Sequence, residues 1–135
     1  MKTIFVDTSG FIALENANDA NHALAVGFQL QVAEQRLHLL TSNFVLDETY
    51  TWLRKAMSHH RAVSFGAAVQ QSKVIEVVSI TPEVERPAWD IFIRYGDKDF
   101  SYTNCTSFAL MQQLRLEAAF SFDRHFRQFG LRVMP

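Results

Sequence analysis

The chain has 135 residues, of which 48% are hydrophobic, so it can build one domain with a substantial core and is short for two. Its 13 Lys and Arg residues nearly balance its 14 Asp and Glu residues. This balance excludes a bulk positive field that would attract nucleic acid or an acidic membrane surface, so any polyanion must be bound locally.

Cysteine content and hydropathy narrow the class of protein further. The single cysteine, Cys105, excludes an internal disulfide and a thiolate zinc site and fits a reducing cytosol. Apolar runs are far shorter than the ~20 residues of a membrane helix. The N-terminal apolar segment meets Asp7 too early for a signal peptide. We therefore expect one cytoplasmic domain over residues 1–135, with no membrane partner.

The apolar pattern predicts strands that alternate with helices along the whole chain. Strands are predicted at 3–6, 38–41, 74–80 and 118–122, with a last extended piece at 131–134. Helices are predicted at 9–14, 23–35, 43–57 with Asn43 as N-cap, 62–73, 82–96, 101–114 with Ser101 as N-cap, and 124–129. Parallel strands need crossover connections, so this alternation predicts a three-layer α/β/α fold with a mostly parallel central sheet.

Two acids, Asp7 and Asp123, each follow a predicted strand directly. Sites in parallel sheets form beyond the carboxyl ends of the strands, near the point where the strand order reverses. Each acid is also placed to cap the helix that follows, which is the commoner role of an isolated acid there. Two such acids in one small domain favour a shared site.

Further polar residues could complete that site. Glu48 lies near the start of an amphipathic helix, where the helix dipole alone also favours an acid. Asp97, Asp99 and Asn104 surround the predicted helix start at Ser101, where ordinary capping explains them equally well. The order along the chain is strand-end acid, helix acid, helix-start polar residues and strand-end acid.

In this order, the chain resembles the PIN-domain ribonucleases, and especially the VapC-like toxins of toxin–antitoxin systems. The resemblance covers the whole length and is carried by the segments 4–9 (IFVDTS), 46–49 (LDET), 98–108 (KDFSYTNCTSF) and 119–126 (AFSFDRHF). It implies a parallel sheet between helices, a site for Mg²⁺ or Mn²⁺ built from acids, and hydrolysis of RNA phosphodiester bonds. It also implies a cognate antitoxin protein that inhibits the nuclease.

The resemblance places Asp7, Glu48 and Asp123 on acids of the family, whereas Asn104 stands where the family has another acid. An amide oxygen keeps the shape of a ligand and loses its charge, so this change should weaken metal binding and water activation. Three explanations stay open. Asp99 compensates as a metal ligand, the chain is a weakened or inactive member, or Asn104 is an engineered change.

The expected mechanism follows from this set of residues. A metal held by Asp7, Asp123 and the side chain at position 104, completed by Glu48, would polarise the scissile phosphate and lower the pKa of an attacking water. Residues expected to support this site are Thr8 and Ser9, as hydrogen-bond donors, and Lys98, Arg124, His125 and Arg127, as phosphate contacts whose commoner role is a solvated surface.

Other enzyme classes fit the sequence less well. A Cys-His hydrolase would need a base near Cys105, and a haloacid-dehalogenase-like phosphotransferase would need an aspartate where Ser9 stands. A response-regulator receiver would need an early acidic pair. The main alternative is a catalytically inactive PIN-like module that binds RNA or protein, and Asn104 supports it directly.

The aromatic residues predict mainly a core. Most of the 12 Phe residues fall on apolar positions of predicted elements. Phe28, Phe44, Trp52 and Trp89 lie on helices whose apolar residues exceed what one small core can cover, which favours a homodimer and a groove for an antitoxin helix.

Overall fold

A computed structural model describes residues 2–135 as an open sheet with helices on both faces. The strands are β1 (Thr3–Val6), β2 (His38–Ser42), β3 (Ile75–Val78), β4 (Ala118–Phe120) and β5 (Arg132–Met134). The helices are α1 (Thr8–Glu15), α2 (His22–Gln35), α3 (Asn43–Ala56), α4 (His59–Gln71), α5 (Pro82–Arg94), α6 (Tyr102–Gln113) and α7 (Arg124–Phe129). Among the described helices, none has the length and apolar character to cross a membrane.

The sheet is entirely parallel, with the order β3-β2-β1-β4-β5. The chain moves outward from β1 to β2 and β3, then returns to place β4 and β5 on the other side of β1. The strand order therefore reverses between β1 and β4, whose carboxyl ends lie side by side because Val6 is paired with Phe120. The predicted α/β fold is confirmed, and the reversal lies where such folds build their sites.

The core forms around the central strands. Ile4, Phe5 and Val6 of β1 are almost fully buried, as a strand covered on both faces requires. Helix α1 packs directly on the end of β4 because Gly10 has no side chain. A Cβ at Gly10 would lie only 2.7 Å from the Phe120 carbonyl oxygen.

Several predicted boundaries shift for identifiable reasons. Ser42, and not Asn43, is the N-cap of α3, since its Oγ accepts from the Val45 amide at 3.1 Å. The Asn43 side chain instead accepts from the Ile80 amide at 2.8 Å, in the part of the predicted strand that lies beyond β3. Ser58 caps α4, so this helix begins at His59 and not at 62.

The prediction was also too long at two ends. Strand β4 ends at Phe120 rather than 122, and α5 ends at Arg94 before reaching Gly96. The capping assignment at Ser101 is confirmed, with Asn104 at the third helical position.

Candidate active site

A shallow cavity of about 330 Å³ opens at the carboxyl ends of β1 and β4. Its lining is Asp7, Thr8, Ser9, Ile12, Glu48, Asp99, Ser101, Asn104, Asp123 and His125. The fold thus brings together the acids and hydroxyls that the sequence singled out, from four separate segments. Lys98 and Arg124 do not line the cavity. Lys98 Nζ lies 3.5 Å from Asp97 Oδ2, and Arg124 is exposed.

Asp7 is the buried centre of this site, with a relative exposure of 2%. It caps α1, and its Oδ2 accepts from the Ser9 hydroxyl at 2.7 Å and the Ser121 hydroxyl at 3.0 Å. Burial is the largest cause that raises the pKa of Asp7 to about 6; the negative charge of Asp123 acts in the same direction, and the hydrogen bonds from Ser9 and Ser121 oppose both. Within residues 2–135, no Lys or Arg forms a salt bridge with Asp7. A desolvated carboxylate without a counter-ion favours a bound cation.

Ser121 is a residue of this site that the sequence analysis missed. Its hydroxyl donates to Asp7 Oδ2 and accepts from the Asp123 backbone amide at 3.0 Å, so one buried side chain connects the two strand-end acids. The available signal was a hydroxyl between Phe120 and Phe122, two residues before an acid. Such a polar residue in an apolar run needs a buried partner.

Glu48 reaches the cavity from α3. Its Oε1 accepts from the Thr8 hydroxyl at 2.6 Å, although the residue as a whole is exposed. Thr8 directly follows Asp7, so the start of α1 orients two of the acids. Asp99 lies on the exposed rim of the cavity, in the loop before Ser101.

The Asn104 side chain has a defined orientation in this site. Its Oδ1 accepts from the Ser101 backbone amide at 3.0 Å, and the Ser101 hydroxyl accepts from the Asn104 backbone amide, which together form a capping box. The amide cannot be turned around, because its NH₂ group would then face the Ser101 N–H group. Nδ2 consequently points to Asp123 Oδ2, 3.4 Å away. Asn104 therefore presents a donor to Asp123 where an aspartate would present a carboxylate oxygen.

Asp123 caps α7 and lies beside a half-buried histidine. Its Oδ1 accepts from the His125 backbone amide at 2.9 Å. His125 Nδ1 is also 2.9 Å from Oδ1, but the alignment is too bent for a hydrogen bond, and neither ring nitrogen has a hydrogen-bond partner among the described residues. The ring meets Phe100 edge-on, at a centroid distance of 5.6 Å. His125 therefore borders the acids and keeps an unused hydrogen-bonding capacity.

The residues present fit a hard divalent cation in part. Asp7, Asp123 and Glu48 provide the carboxylate oxygens that Mg²⁺ and Mn²⁺ prefer, and the desolvated Asp7 forms no salt bridge with a Lys or Arg that the structure describes. Position 104 fits less well, since its NH₂ group faces Asp123. Across the part of the chain that the structure describes, no three His, Cys, Asp or Glu side chains are arranged so that they could hold an ion together. Position 104 contributes an amide to the cavity and not a carboxylate.

Comparison with known proteins identifies the family to which this chain belongs. The model of the PIN domain matches residues 4–131. Among curated proteins, the 23S rRNA-specific endonuclease VapC20 of Mycobacterium tuberculosis is 38% identical over 127 residues, which cover 94% of each chain. A VapC ribonuclease of Archaeoglobus fulgidus is 30% identical over 123 residues, covering 90% of this chain and 77% of the relative. The chain therefore belongs to the PIN-domain family and, within it, to the VapC-like toxin ribonucleases of toxin–antitoxin systems.

Solved structures agree with this assignment. The crystal structure of M. tuberculosis VapC20, described as a sarcin-ricin loop cleaving toxin, has a TM-score of 0.87 at 36% identity and covers 98% of this chain and 99% of its own. VapBC2 of Rickettsia felis, bound to a promoter DNA fragment, has a TM-score of 0.73 at 9% identity, covering 97% of this chain and 96% of that one. FitAcB of Neisseria gonorrhoeae has a TM-score of 0.71 at 13% identity, covering 98% and 96%. The last two share the fold alone.

Proposed function

We propose that this chain is a divalent-metal-dependent endoribonuclease of the VapC type, whose activity is weakened by Asn104. The observation that carries the proposal is the pair Asp7 and Asp123 at the adjacent carboxyl ends of β1 and β4, with Asp7 buried and forming no salt bridge with any Lys or Arg of residues 2–135. Carboxylates in this arrangement attract a cation that can act on a phosphodiester.

The mechanism assigns a role to each side chain around the cavity. Asp7 and Asp123 would hold Mg²⁺ or Mn²⁺, Glu48 would complete the site through a bound water, and Asp99 is available at the rim. The bound ion supplies polarisation of the scissile phosphate and a lowered pKa of water. Thr8 fixes the Glu48 carboxylate, and Ser9 and Ser121 fix Asp7. The His125 ring lines the cavity, but both ring nitrogens are shielded from solvent, so a contact with a phosphate oxygen would require the ring to turn.

Asn104 weakens this site in two ways. It removes one negative charge from the group that must neutralise the cation, which lowers the affinity for metal. Its Nδ2 also donates to Asp123 Oδ2 and so occupies an oxygen that the metal would use. Lys98 is half-buried, Arg124 is exposed and neither lines the cavity, so their contribution would be contacts with more distant phosphates of the RNA.

The substrate and partners are inferred from the relatives. We propose structured ribosomal RNA as the substrate, because the relative VapC20 is 23S rRNA-specific and cleaves the sarcin-ricin loop. We further propose a cognate antitoxin protein and a homodimer as partners. Trp89, Phe92 and Ile93 form an exposed apolar face on α5 that would suit either association.

A second candidate function is favoured by one observation, the donation from Asn104 Nδ2 to Asp123 Oδ2. If the cavity does not load metal, the folded chain would bind RNA or an antitoxin without cleaving. The two functions differ in a single measurable property, metal-dependent cleavage.

The test is cleavage of a sarcin-ricin stem-loop RNA and a panel of other structured RNAs by the purified chain in Mg²⁺ or Mn²⁺. EDTA and Asp7→Ala serve as negative controls, and Asn104→Asp is assayed in parallel. We expect weak cleavage by the parent chain and strong cleavage by Asn104→Asp. If neither protein cuts any RNA at high enzyme concentration, the ribonuclease proposal is wrong and the non-cleaving module replaces it.

A further inference from the structure

A second cavity, of about 590 Å³, lies beside the acid cavity and shares Glu48 with it. We call it the α3 groove, and the lining residues used below are Asp47, Glu48, Thr51, Trp52, Lys55 and Thr103. On α3 these residues form two rows at four-residue spacing, so they lie on one side of the helix. At 1.5 Å per residue, Trp52 is about 6 Å along the helix axis from Glu48. An RNA strand whose phosphate is bound in the acid cavity can therefore place its next nucleotide in the α3 groove.

Trp52 gives the groove a flat aromatic surface. The residue is half-buried and packs against the core. Within the described residues it pairs with no other aromatic ring, whereas Trp89 contacts Phe92 and Tyr102 at 5.7 and 6.5 Å. An indole that lines a cavity without an aromatic partner can stack on a nucleobase, and such stacking tolerates any base.

The charges in the groove favour a base over a phosphate near Glu48. Asp47 and Glu48 are both acidic, so they repel a phosphate at this end and tolerate an uncharged ring. Lys55 lies two turns beyond Asp47, about 12 Å along the helix, and forms no salt bridge within residues 2–135. It is placed to meet the phosphate that follows the base. Thr51 and Thr103 add hydroxyls that can hydrogen-bond a base edge.

We propose that the α3 groove binds the nucleobase next to the scissile phosphate of a single-stranded or looped RNA segment. Trp52 provides the stacking surface, and Lys55 contacts the following phosphate. Recognition by stacking requires an unpaired base, so the groove selects loops over continuous duplex. This inference rests on the proposed ribonuclease function and identifies the part of the RNA that the protein grips.

The test measures binding of a labelled single-stranded RNA of about ten nucleotides to the full chain, in EDTA and in Mn²⁺. The variants are Trp52→Ala, Trp52→Phe, Lys55→Ala and, as a control, Leu30→Ala, which removes an exposed apolar side chain from α2. We expect Trp52→Ala to weaken binding roughly tenfold, and Trp52→Phe and Leu30→Ala to stay within about threefold of the parent. Lys55→Ala should reduce the salt slope of binding by about one.

Tryptophan fluorescence reports RNA binding at Trp52 while the Trp52 side chain is retained. The chain has 2 Trp residues, so Trp89→Phe leaves Trp52 as the sole emitter. Added RNA should quench this emission, and in a Trp52→Phe chain the remaining Trp89 emission should stay constant. Circular dichroism shows whether Trp52→Ala is folded.

Two results would overturn the groove assignment. One is RNA binding that leaves Trp52 emission and the affinity of Trp52→Ala unchanged, or no RNA binding in either buffer. The other is a Trp52→Ala substitution that changes the oligomeric state, measured by sedimentation, and leaves RNA affinity unchanged. The groove of the parent would then be covered by a second copy of the chain. If Asn104→Asp cleaves RNA and substitution of Trp52 does not change RNA binding, the groove assignment is wrong and the ribonuclease proposal stands. If RNA binding depends on Trp52 but no cleavage occurs, the groove assignment stands and the ribonuclease proposal is wrong.

Discussion

Asn104 donates from Nδ2 to Asp123 Oδ2 over 3.4 Å, while its Oδ1 is held by the Ser101 backbone amide at 3.0 Å. Asn104 is therefore also a structural part of α6, and its orientation is fixed by the start of that helix. The capping box accepts a carboxylate as readily as an amide at this position. Exchange for an acid should consequently alter the charge of the site and preserve the helix.

Asn104→Asp should make the stability of the protein dependent on metal. In EDTA, the carboxylates of Asp7 and Asp123 repel a third carboxylate at position 104. We therefore expect the free energy of unfolding to fall by roughly 1 kcal/mol at neutral pH. Saturating Mn²⁺ should reverse this loss and raise the Tm above that of the parent, with metal affinity higher by about tenfold or more. Thermal melts with and without Mn²⁺ measure both effects.

The matched control is Asn18→Asp, which adds the same charge on an exposed loop after α1. Its melting temperature should not respond to Mn²⁺ more than that of the parent. If Asn18→Asp and Asn104→Asp respond equally, the metal does not bind at the acid cavity.

The ionisation of Asp7 predicts a specific pH dependence of metal-free stability. Its pKa is about 6 in the folded chain and 3.8 as the reference, so the folded state binds a proton that the unfolded state lacks between these values. Stability should therefore fall as the pH rises from about 4 to about 6, and the penalty persists above that range. Asp7→Asn removes the charge and should stabilise the apo protein at pH 7.5 by on the order of 1 to 3 kcal/mol.

Urea unfolding in EDTA at pH 4 and pH 7.5 tests this difference. The two proteins should have similar stability at pH 4 and diverge at pH 7.5. Asp99→Asn, at an exposed rim position, provides the control and should show no such divergence. If Asp7→Asn and the parent are equally stable at both pH values, burial of the charged Asp7 carboxylate does not destabilise the folded protein.

Ser121→Ala should destabilise the protein by about 1 to 3 kcal/mol, because the Asp123 amide and the Asp7 carboxylate both lose a buried partner. Metal affinity should fall as well, since the two acids are no longer tied together. Ser107→Ala is a suitable comparison, because Ser107 is equally buried and its hydroxyl has no partner among the described residues. Its removal should be neutral or slightly stabilising. Denaturant titration and Mn²⁺ binding calorimetry distinguish the two serines.

Gly10→Ala should force α1 away from β4. The added Cβ would lie 2.7 Å from the carbonyl oxygen of Phe120 and 3.2 Å from the Phe120 ring. We therefore expect the free energy of unfolding to fall by about 1 to 3 kcal/mol. Gly27→Ala lies in an exposed turn of α2 with nothing within 4 Å, and it should gain about 0.5 to 1 kcal/mol from improved helix propensity. Opposite signs in the change of Tm are the expected result. If Gly10→Ala leaves the Tm unchanged, α1 can shift away from the carboxyl end of β4 without a loss of stability.

The fold was predictable because periodicity and strand-end acids are local signals. Asp7, Asp123 and the Ser101 cap could be assigned from their neighbours alone, and the alternation of elements implied a parallel sheet. Ser121 could not be assigned, since its importance depends on Asp7, which is distant in sequence and adjacent only across the β1–β4 pair. The orientation of Asn104 likewise depends on its contacts with Ser101 and Asp123.

Asp7 and Asp123 each begin a helix as well as facing the cavity. At such a position Asn serves the helix about as well as Asp, so replacing either acid by its amide removes a charge and leaves the chain folded. A lineage with this architecture can therefore lose its chemistry in one inherited change and keep its shape.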